Sequence, residues 1–144
     1  MIDSPLPNNQ RVVVDTNVLI SRLLAPGSVP GQAVSHAVKH GRLLASNATL
    51  EELADVLSRA KFDRYITLSE RQQFIRLLAR IVDMPEITHR FNTCADQSDN
   101  KFLDLAVSGK ASAIITGDQD LLSLHPFQTI PIIKPATYLE SFST

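Results

Sequence analysis

The sequence predicts an α/β fold in which parallel strands form one sheet with helices on both faces. Short β-branched runs, above all residues 11–14, alternate with segments whose apolar residues recur at helical spacing. The links between them are short, which is typical of right-handed crossovers between parallel strands. A length of 144 residues and a hydrophobic fraction of 44% suit one domain with a single core.

The first half of the chain is divided by clear start and stop signals. Pro26 and Gly27 end the first apolar helical stretch, Gly41 ends the second, and Ser46 with Asn47 offers caps for the third. The elements expected here are a flexible proline- and asparagine-rich tail over residues 1–10, a strand over 11–15, helices over 18–24 and 32–40, a strand over 43–45 and a helix from 46 to about 59.

The second half continues the same alternation. Thr67 and Glu70 form a capping-box pattern, Ser98 and Asp99 open another helix, and Gly109 lies near its end. The elements expected here are a helix from residue 67 to 82, a strand over 84–89, a helix from 98 to about 108, a strand over 113–116, a short helix over 119–122, a strand over 130–133 and a last helix over 136–142. We therefore assign residues 11–144 to one domain.

Composition and charge exclude several classes of protein. The formal net charge of −1 disfavours strong non-specific binding to nucleic acid, although divalent ions in an acidic pocket would reverse its local charge. Cys94 is the only cysteine, so no intramolecular disulfide is expected. The N-terminal residues do not resemble a signal peptide, and no apolar run has membrane-spanning length. A soluble, cytoplasmic protein with no membrane partner is expected.

Four acidic residues fall where such a sheet gathers its functional side chains. Asp15 ends the first strand, and Asp118 follows the strand over 113–116. Glu52 lies in the first turns of the helix after the second strand, and Asp99 opens a later helix. Functional residues of open α/β sheets collect beyond the carboxyl ends of the strands, so we expect these four side chains at one end of the sheet.

Each acid taken alone also has a structural explanation. Asp15 could cap the next helix, Asp99 could favour a helix N-terminus, and Asp118 could be a turn residue. Glu52 could complete a capping box with Thr49. Together they indicate chemistry, because crowded carboxylates repel one another unless a hard cation neutralises them. Mg²⁺ and Mn²⁺ prefer oxygen ligands, and such a site suits phosphodiester hydrolysis.

The runs that contain these acids resemble a known family. Val-Val-Val-Asp15-Thr-Asn17-Val-Leu-Ile resembles the opening strand and turn of PIN-domain nucleases. Three later runs resemble that family's next acidic motifs, in order: Ser46 followed by Thr49-Leu-Glu-Glu52-Leu, then Asp99-Asn-Lys-Phe-Leu-Asp-Leu-Ala106, and Ile-Ile-Thr116-Gly-Asp118-Gln-Asp120-Leu-Leu122. Leu57-Ser-Arg-Ala-Lys-Phe62 is similar to the variant grouped with VapC-like toxins of toxin–antitoxin systems.

This resemblance implies a three-layer α/β/α sandwich with a mostly parallel sheet and a Mg²⁺- or Mn²⁺-dependent endoribonuclease. It implies that RNA is the substrate, and that a homodimer and a cognate antitoxin are the protein partners. Carried over by motif, Asn17 and Thr116 would orient the acids and waters. The acids that it assigns to catalysis and metal binding are Asp15, Glu52, Asp99 and Asp118, with Asp120 as a further metal ligand.

Several neighbouring residues compete for these roles. Glu51 adjoins Glu52, but Glu52 fits the motif better because it directly precedes the core residue Leu53. Asp96 and Asp104 are rivals of Asp99, and Asp104 cannot face the same way because it lies five residues further along the helix. Asp120 either assists Asp118 or caps the short helix. Lys101, two residues after Asp99, is the best candidate for a phosphate-binding residue, although for any one basic residue a solvated surface charge is the better explanation.

Two other functions have weaker support. A receiver domain would need a second acid before Asp15 and a phosphoacceptor at the end of a third strand, and the sequence offers neither, although Lys134-Pro135 resembles a receiver motif. A catalytically inactive protein-binding module with the same fold would be expected to have lost some of the acids, and all four are present. A metal-dependent ribonuclease is therefore the favoured hypothesis.

Overall fold

Seven α-helices and four strands make up residues 10–142, which the computed structural model describes. In chain order they are β1 (Gln10–Val14), α1 (Thr16–Leu24), α2 (Val29–His40), β2 (Gly41–Leu43), α3 (Asn47–Leu57), α4 (Leu68–Ile81), α5 (Asn100–Ser108), β3 (Ala113–Ile115), α6 (Gln119–Leu122), β4 (Ile132–Ile133) and α7 (Pro135–Phe142). Two 3₁₀ turns, Ala60–Phe62 and Gln97–Asp99, precede α4 and α5.

The strands form one parallel sheet in the order β2-β1-β3-β4. The chain moves from β1 to β2 on one side and later returns to β3 on the other, so the strand order reverses beside β1. Val14 pairs with Ile115, which brings the carboxyl ends of β1 and β3 to the same level. That is the position where open α/β sheets place their ligand sites.

Two layers of helices cover the sheet, and the alternating side chains of β1 divide the core between them. Val12 and Val14 pack into one apolar cluster with residues of α1, α2, α3, α4 and α7. Val13 points to the other face and packs with α5 and α6. Because successive strand residues face opposite sides, a continuous valine run is what a sheet covered on both faces requires. The expected three-layer α/β/α sandwich is confirmed.

Local capping explains where several helices begin. Ser46 accepts a hydrogen bond from the Thr49 backbone while the Thr49 side chain accepts one from the Ser46 backbone, a capping box at α3. Thr67 and Glu70 make the same reciprocal contact at α4, as the sequence predicts. The Glu52 side chain takes no part in the cap of α3, so its expected alternative role as a capping residue is wrong.

The structure also differs from the expected elements. The second helix begins at Val29 rather than at residue 32, and the last strand covers Ile132–Ile133 rather than residues 130–133. The second strand covers Gly41–Leu43 rather than residues 43–45. The strand expected over residues 84–89 is wrong: this segment has no ladder partner, and the backbone N–H groups of Thr88 and His89 donate to the Ser108 hydroxyl. Gln10, expected in the tail, is the first residue of β1, and the rest of that expected tail lies outside the described residues.

Hydropathy adds one observation about the helices. Across residues 10–142, every helix is too short or too polar to cross a lipid bilayer.

Candidate functional site

The carboxyl ends of β1 and β3 bring the first two predicted acids together through a buried threonine. Thr116 is fully buried, and its hydroxyl donates to Asp15 Oδ2. The same hydroxyl oxygen accepts a hydrogen bond of 2.9 Å from the Asp118 backbone N–H. The three residues thus form one unit, although Asp15 and Thr116 lie 101 positions apart in the chain.

Asp15 serves the fold and the site at the same time. Its Oδ1 caps α1 by accepting from the Val18 backbone N–H at 2.9 Å. Burial raises the pKa of Asp15, the charge of Asp118 adds to this rise, and the hydrogen bonds from Thr116 and Val18 oppose it. The carboxylate is held in one orientation by donors on both of its oxygens.

Asp99 is the acid for which a purely structural role fits least well. It lies at the junction of the second 3₁₀ turn and α5, where it is only 8% exposed and its side chain caps nothing. Its buried Oδ2 has no hydrogen-bond partner among the described residues. Burial raises the pKa of Asp99 to about 7, and the Asp118 carboxylate adds to this rise, followed by the charges of Asp96 and Glu52. A helix cap would not leave this oxygen without a donor.

Asp99, Asp118 and Asp120 form a compact oxygen cluster. One carboxylate oxygen from each lies within 4.8 Å of the others. Asp118 caps α6 by accepting from the Asp120 backbone N–H at 3.0 Å, so the short helix positions both side chains. A hard divalent cation needs such oxygen ligands, and it would satisfy the unpaired oxygen of Asp99. The donor set therefore fits Mg²⁺ or Mn²⁺.

Glu52 borders this cluster, but both of its carboxylate oxygens already accept hydrogen bonds from other side chains. Its Oε2 accepts from the Thr16 hydroxyl, and its Oε1 accepts from Lys101 Nζ at 2.6 Å. Both members of the ion pair with Lys101 are 22% exposed at their side chains. Lys101 is thus engaged by Glu52, a contact that the sequence analysis did not foresee for either residue.

The remaining candidates lie outside the cluster. Asp96 caps the 3₁₀ turn through Ser98 and is exposed, and Glu51 is exposed on α3. Asp104 turns towards the preceding loop, where it accepts from the Phe91 backbone at 2.7 Å. Asn17 is exposed on the first turn of α1, and its side chain hydrogen-bonds no other residue within residues 10–142. The orienting role assigned to Asn17 stays a prediction.

Sequence reasoning missed two polar residues that support the site. Thr16 is 6% exposed and donates to Glu52, 36 positions away. Asn100 is buried, and its side-chain oxygen accepts from the Thr93 and Cys94 backbones, which fastens the loop before Asp99. The signal for Thr16 is its position directly after Asp15. The partner of neither residue can be found without the tertiary structure.

Two surface depressions accompany the site. A pocket of about 440 Å³ shares Lys101 with it and is also lined by Arg90, Glu51 and Glu86. A larger groove of about 710 Å³ lies between α1, α2 and α4. None of the site's acids lines this groove, and its lining is mainly apolar. The polar pocket is therefore the one that adjoins the acids.

We expect Thr116→Val to weaken divalent-metal binding by about 10- to 100-fold, a range typical for loss of a residue that orients metal ligands. Valine fills the buried space but can neither donate to Asp15 nor accept from Asp118. Mn²⁺ titration calorimetry measures the effect, and Thr116→Ser, which keeps the hydroxyl, serves as the matched control. Equal Mn²⁺ affinity in the valine variant and the wild type would contradict the orienting role.

Comparison with known proteins gives a family and a relative by sequence. The family model described as PIN domain matches residues 11–120. The uncharacterized protein MJ1680 of Methanocaldococcus jannaschii is 34% identical over 119 residues, which cover 80% of this chain and 75% of that protein.

Two solved structures have the same fold. They are VapBC2 from Rickettsia felis bound to a DNA fragment from its promoter (TM-score 0.60, 10% identity, 87% of this chain and 98% of that one) and PAE2754 from Pyrobaculum aerophilum (TM-score 0.61, 14% identity, 92% and 89%).

Proposed function

This chain belongs to the PIN-domain family, whose members are generally nucleases, and from that premise we propose that it is a Mg²⁺- or Mn²⁺-dependent endoribonuclease. One observation supports the proposal above the others. Asp99 is buried next to Asp118 and Asp120, and its Oδ2 has no hydrogen-bond donor within residues 10–142. Burying such a carboxylate without a partner costs free energy, and a bound cation would remove that cost.

The chain's own residues prepare this site. Asp99, Asp118 and Asp120 would hold the cation, and Asp15 lies beside Asp118 through their shared contact with Thr116. When bound, the cation supplies charge stabilisation at the phosphate and a more acidic water. Asp15 and the cluster orient the attacking water by accepting its hydrogen bonds, and the low exposure of Asp15 and Asp99 limits competing solvent.

RNA is the proposed substrate because the sequence motifs resemble those of VapC-like ribonuclease toxins. The pocket beside the site presents Arg90 and Lys101, which offer phosphate contacts on an otherwise uncharged or acidic surface. We place this activity in the cytoplasm, as part of a toxin–antitoxin system. The related fold of VapBC2, a complex bound to promoter DNA, supports the same assignment.

The proposed function is tested with purified protein and a mixture of structured and unstructured RNAs. We expect internal cleavage with Mg²⁺ or Mn²⁺, none with EDTA, and recovery when excess metal is added back. Cleavage that persists in EDTA would refute metal dependence. Absence of both RNA cleavage and Mn²⁺ binding would favour the alternative, an inactive protein-binding module with this fold.

The proposed protein partners are a second copy and an antitoxin. The apolar groove between α1, α2 and α4 exposes Val38, Leu77 and Ile81, whose exposed fractions of 41–51% are high for large apolar side chains. We assign this groove to an apolar helix of the antitoxin, so it should stay uncovered in the protein alone.

Light scattering of the isolated protein is expected to give twice the chain mass of 15.9 kDa. The dimer should be unaffected by Leu77→Glu, whereas a co-expressed antitoxin should no longer be retained. A monomeric wild type would refute the dimer, and a Leu77→Glu variant that becomes monomeric would assign the groove to the second copy instead.

A further inference from the structure

The acids of the site fall into two groups that differ in how their charge is balanced. Within residues 10–142, no ion pair involves Asp15, Asp99, Asp118 or Asp120. Glu52, in contrast, has an ammonium at 2.6 Å and a hydroxyl donor on its other oxygen. The cluster therefore lacks a positive partner, whereas Glu52 already has one.

The partner of Glu52 lies in the helix that begins directly after Asp99. Lys101 follows Asp99 by two residues in the first turn of α5, and α5 packs on α3, which carries Glu52. Both side chains of the pair are mostly buried. A charge-assisted hydrogen bond in such a place is stronger than an exposed ion pair, because solvent screens it less.

We propose that the site takes a single divalent cation and that the Lys101 ammonium provides the second positive charge, on Glu52. This inference rests on the proposed function and adds which groups supply the two positive charges of the site. In nuclease sites with two metal ions, the pair of ions stabilises the attacking and the leaving oxygens. Lys101 balances the charge of Glu52, and its remaining N–H groups can donate to a phosphate that enters from the adjoining pocket.

The proposal predicts how many metal ions bind. Wild-type protein, titrated with Mn²⁺ by calorimetry and by electron paramagnetic resonance of free Mn²⁺, is expected to bind one ion per chain. Lys101→Met keeps the side-chain length and removes the charge, so Glu52 becomes available and a second, weaker Mn²⁺ is expected. The double variant Lys101→Met with Glu52→Gln should return to one ion, and Lys101→Arg should bind one ion throughout.

Lys39→Met is the matched control, because Lys39 is an exposed lysine on α2 outside the site. It should leave the stoichiometry at one. Two Mn²⁺ ions in the wild type, or one ion in folded Lys101→Met, would overturn the proposal. Circular dichroism establishes that each variant is folded, and two ions in the wild type would overturn the proposal even if Lys101→Met does not fold.

The RNA assay keeps this inference separate from the proposed function. We expect Lys101→Met to lower kcat/KM for RNA by about 10²-fold or more, as removal of one charge-stabilising donor does in other enzymes. Protein that binds one Mn²⁺ but cleaves no RNA would refute the ribonuclease and leave the single-ion site standing. Protein that cleaves RNA with two bound ions would refute the inference alone.

Discussion

Asp118→Asn is expected to lower the kcat/KM of metal-dependent RNA cleavage by about 10³-fold while leaving the protein folded. A metal ion contributes several kcal/mol of charge stabilisation, and each 1.36 kcal/mol corresponds to a factor of ten. Asparagine has the size of aspartate and keeps the oxygen that accepts from the Asp120 backbone, so α6 retains its cap. What it removes is negative charge from the cluster of Asp99, Asp118 and Asp120.

The measurement is the initial rate of cleavage of a fluorescent RNA at several Mg²⁺ concentrations. Asp55→Asn is the matched control, because Asp55 lies on α3 with 75% of its side chain exposed and should keep full activity. Asp15→Asn is expected to lower kcat/KM as Asp118→Asn does. The double variant should have a kcat/KM only slightly below that of either single variant, because the effects of residues that act as one unit are not additive. An Asp118→Asn protein within tenfold of the wild type would exclude the acid cluster as the catalytic site.

Asp99→Asn is expected to abolish cleavage and, in EDTA, to raise the free energy of unfolding by about 1–3 kcal/mol, the usual cost of an unsatisfied buried group. The wild-type carboxylate is buried without a donor for Oδ2 and lies beside Asp118. An amide carries no charge to desolvate, and its N–H₂ can donate to the Asp118 carboxylate. The unfolded chain hydrates either side chain, so the gain arises in the folded state.

The sign should reverse when metal is present. Because metal binds only the folded state, it stabilises wild-type protein by about 4.1 kcal/mol at 1,000 times its Kd, which exceeds the expected gain of the variant. The same metal should raise the free energy of unfolding of Asp99→Asn only slightly. Urea unfolding in EDTA and in saturating Mn²⁺ measures both effects. Asp104→Asn is the matched control and should show neither effect, because Asp104 lies on α5 and accepts from the Phe91 backbone instead. A destabilised Asp99→Asn in EDTA would mean that the carboxylate has a structural role.

Sequence reasoning succeeded where the pattern is local. The valine run of β1 and the isoleucine pair of β3 predict parallel strands, and the acids that follow them, Asp15 and Asp118, must then lie at the same edge. The cap signals at α3 and α4 depend on residues three positions apart, so they too could be found without a structure. The family followed from the same short runs.

It failed where a residue's role depends on distant neighbours. Residues 84–89 have a composition that permits a strand, but their N–H groups find the Ser108 hydroxyl instead of a ladder partner. Glu52 has the spacing of a capping residue, yet its oxygens bind Thr16 and Lys101. Lys101 could be described from sequence only as a surface charge near Asp99.

The sequence alone determines the alternation of strands and helices and the edge at which the acids gather, because both depend on side-chain periodicity within short segments. It also indicates the family, because the acidic motifs are short runs. The grouping of the acids does not follow from the sequence. Thr116 reaches Asp15 across 101 positions, Lys101 reaches Glu52 across 49, and Thr16 reaches Glu52 across 36. Only the packed sheet brings such residues together, and only that packing leaves Asp99 without a donor while Glu52 receives two.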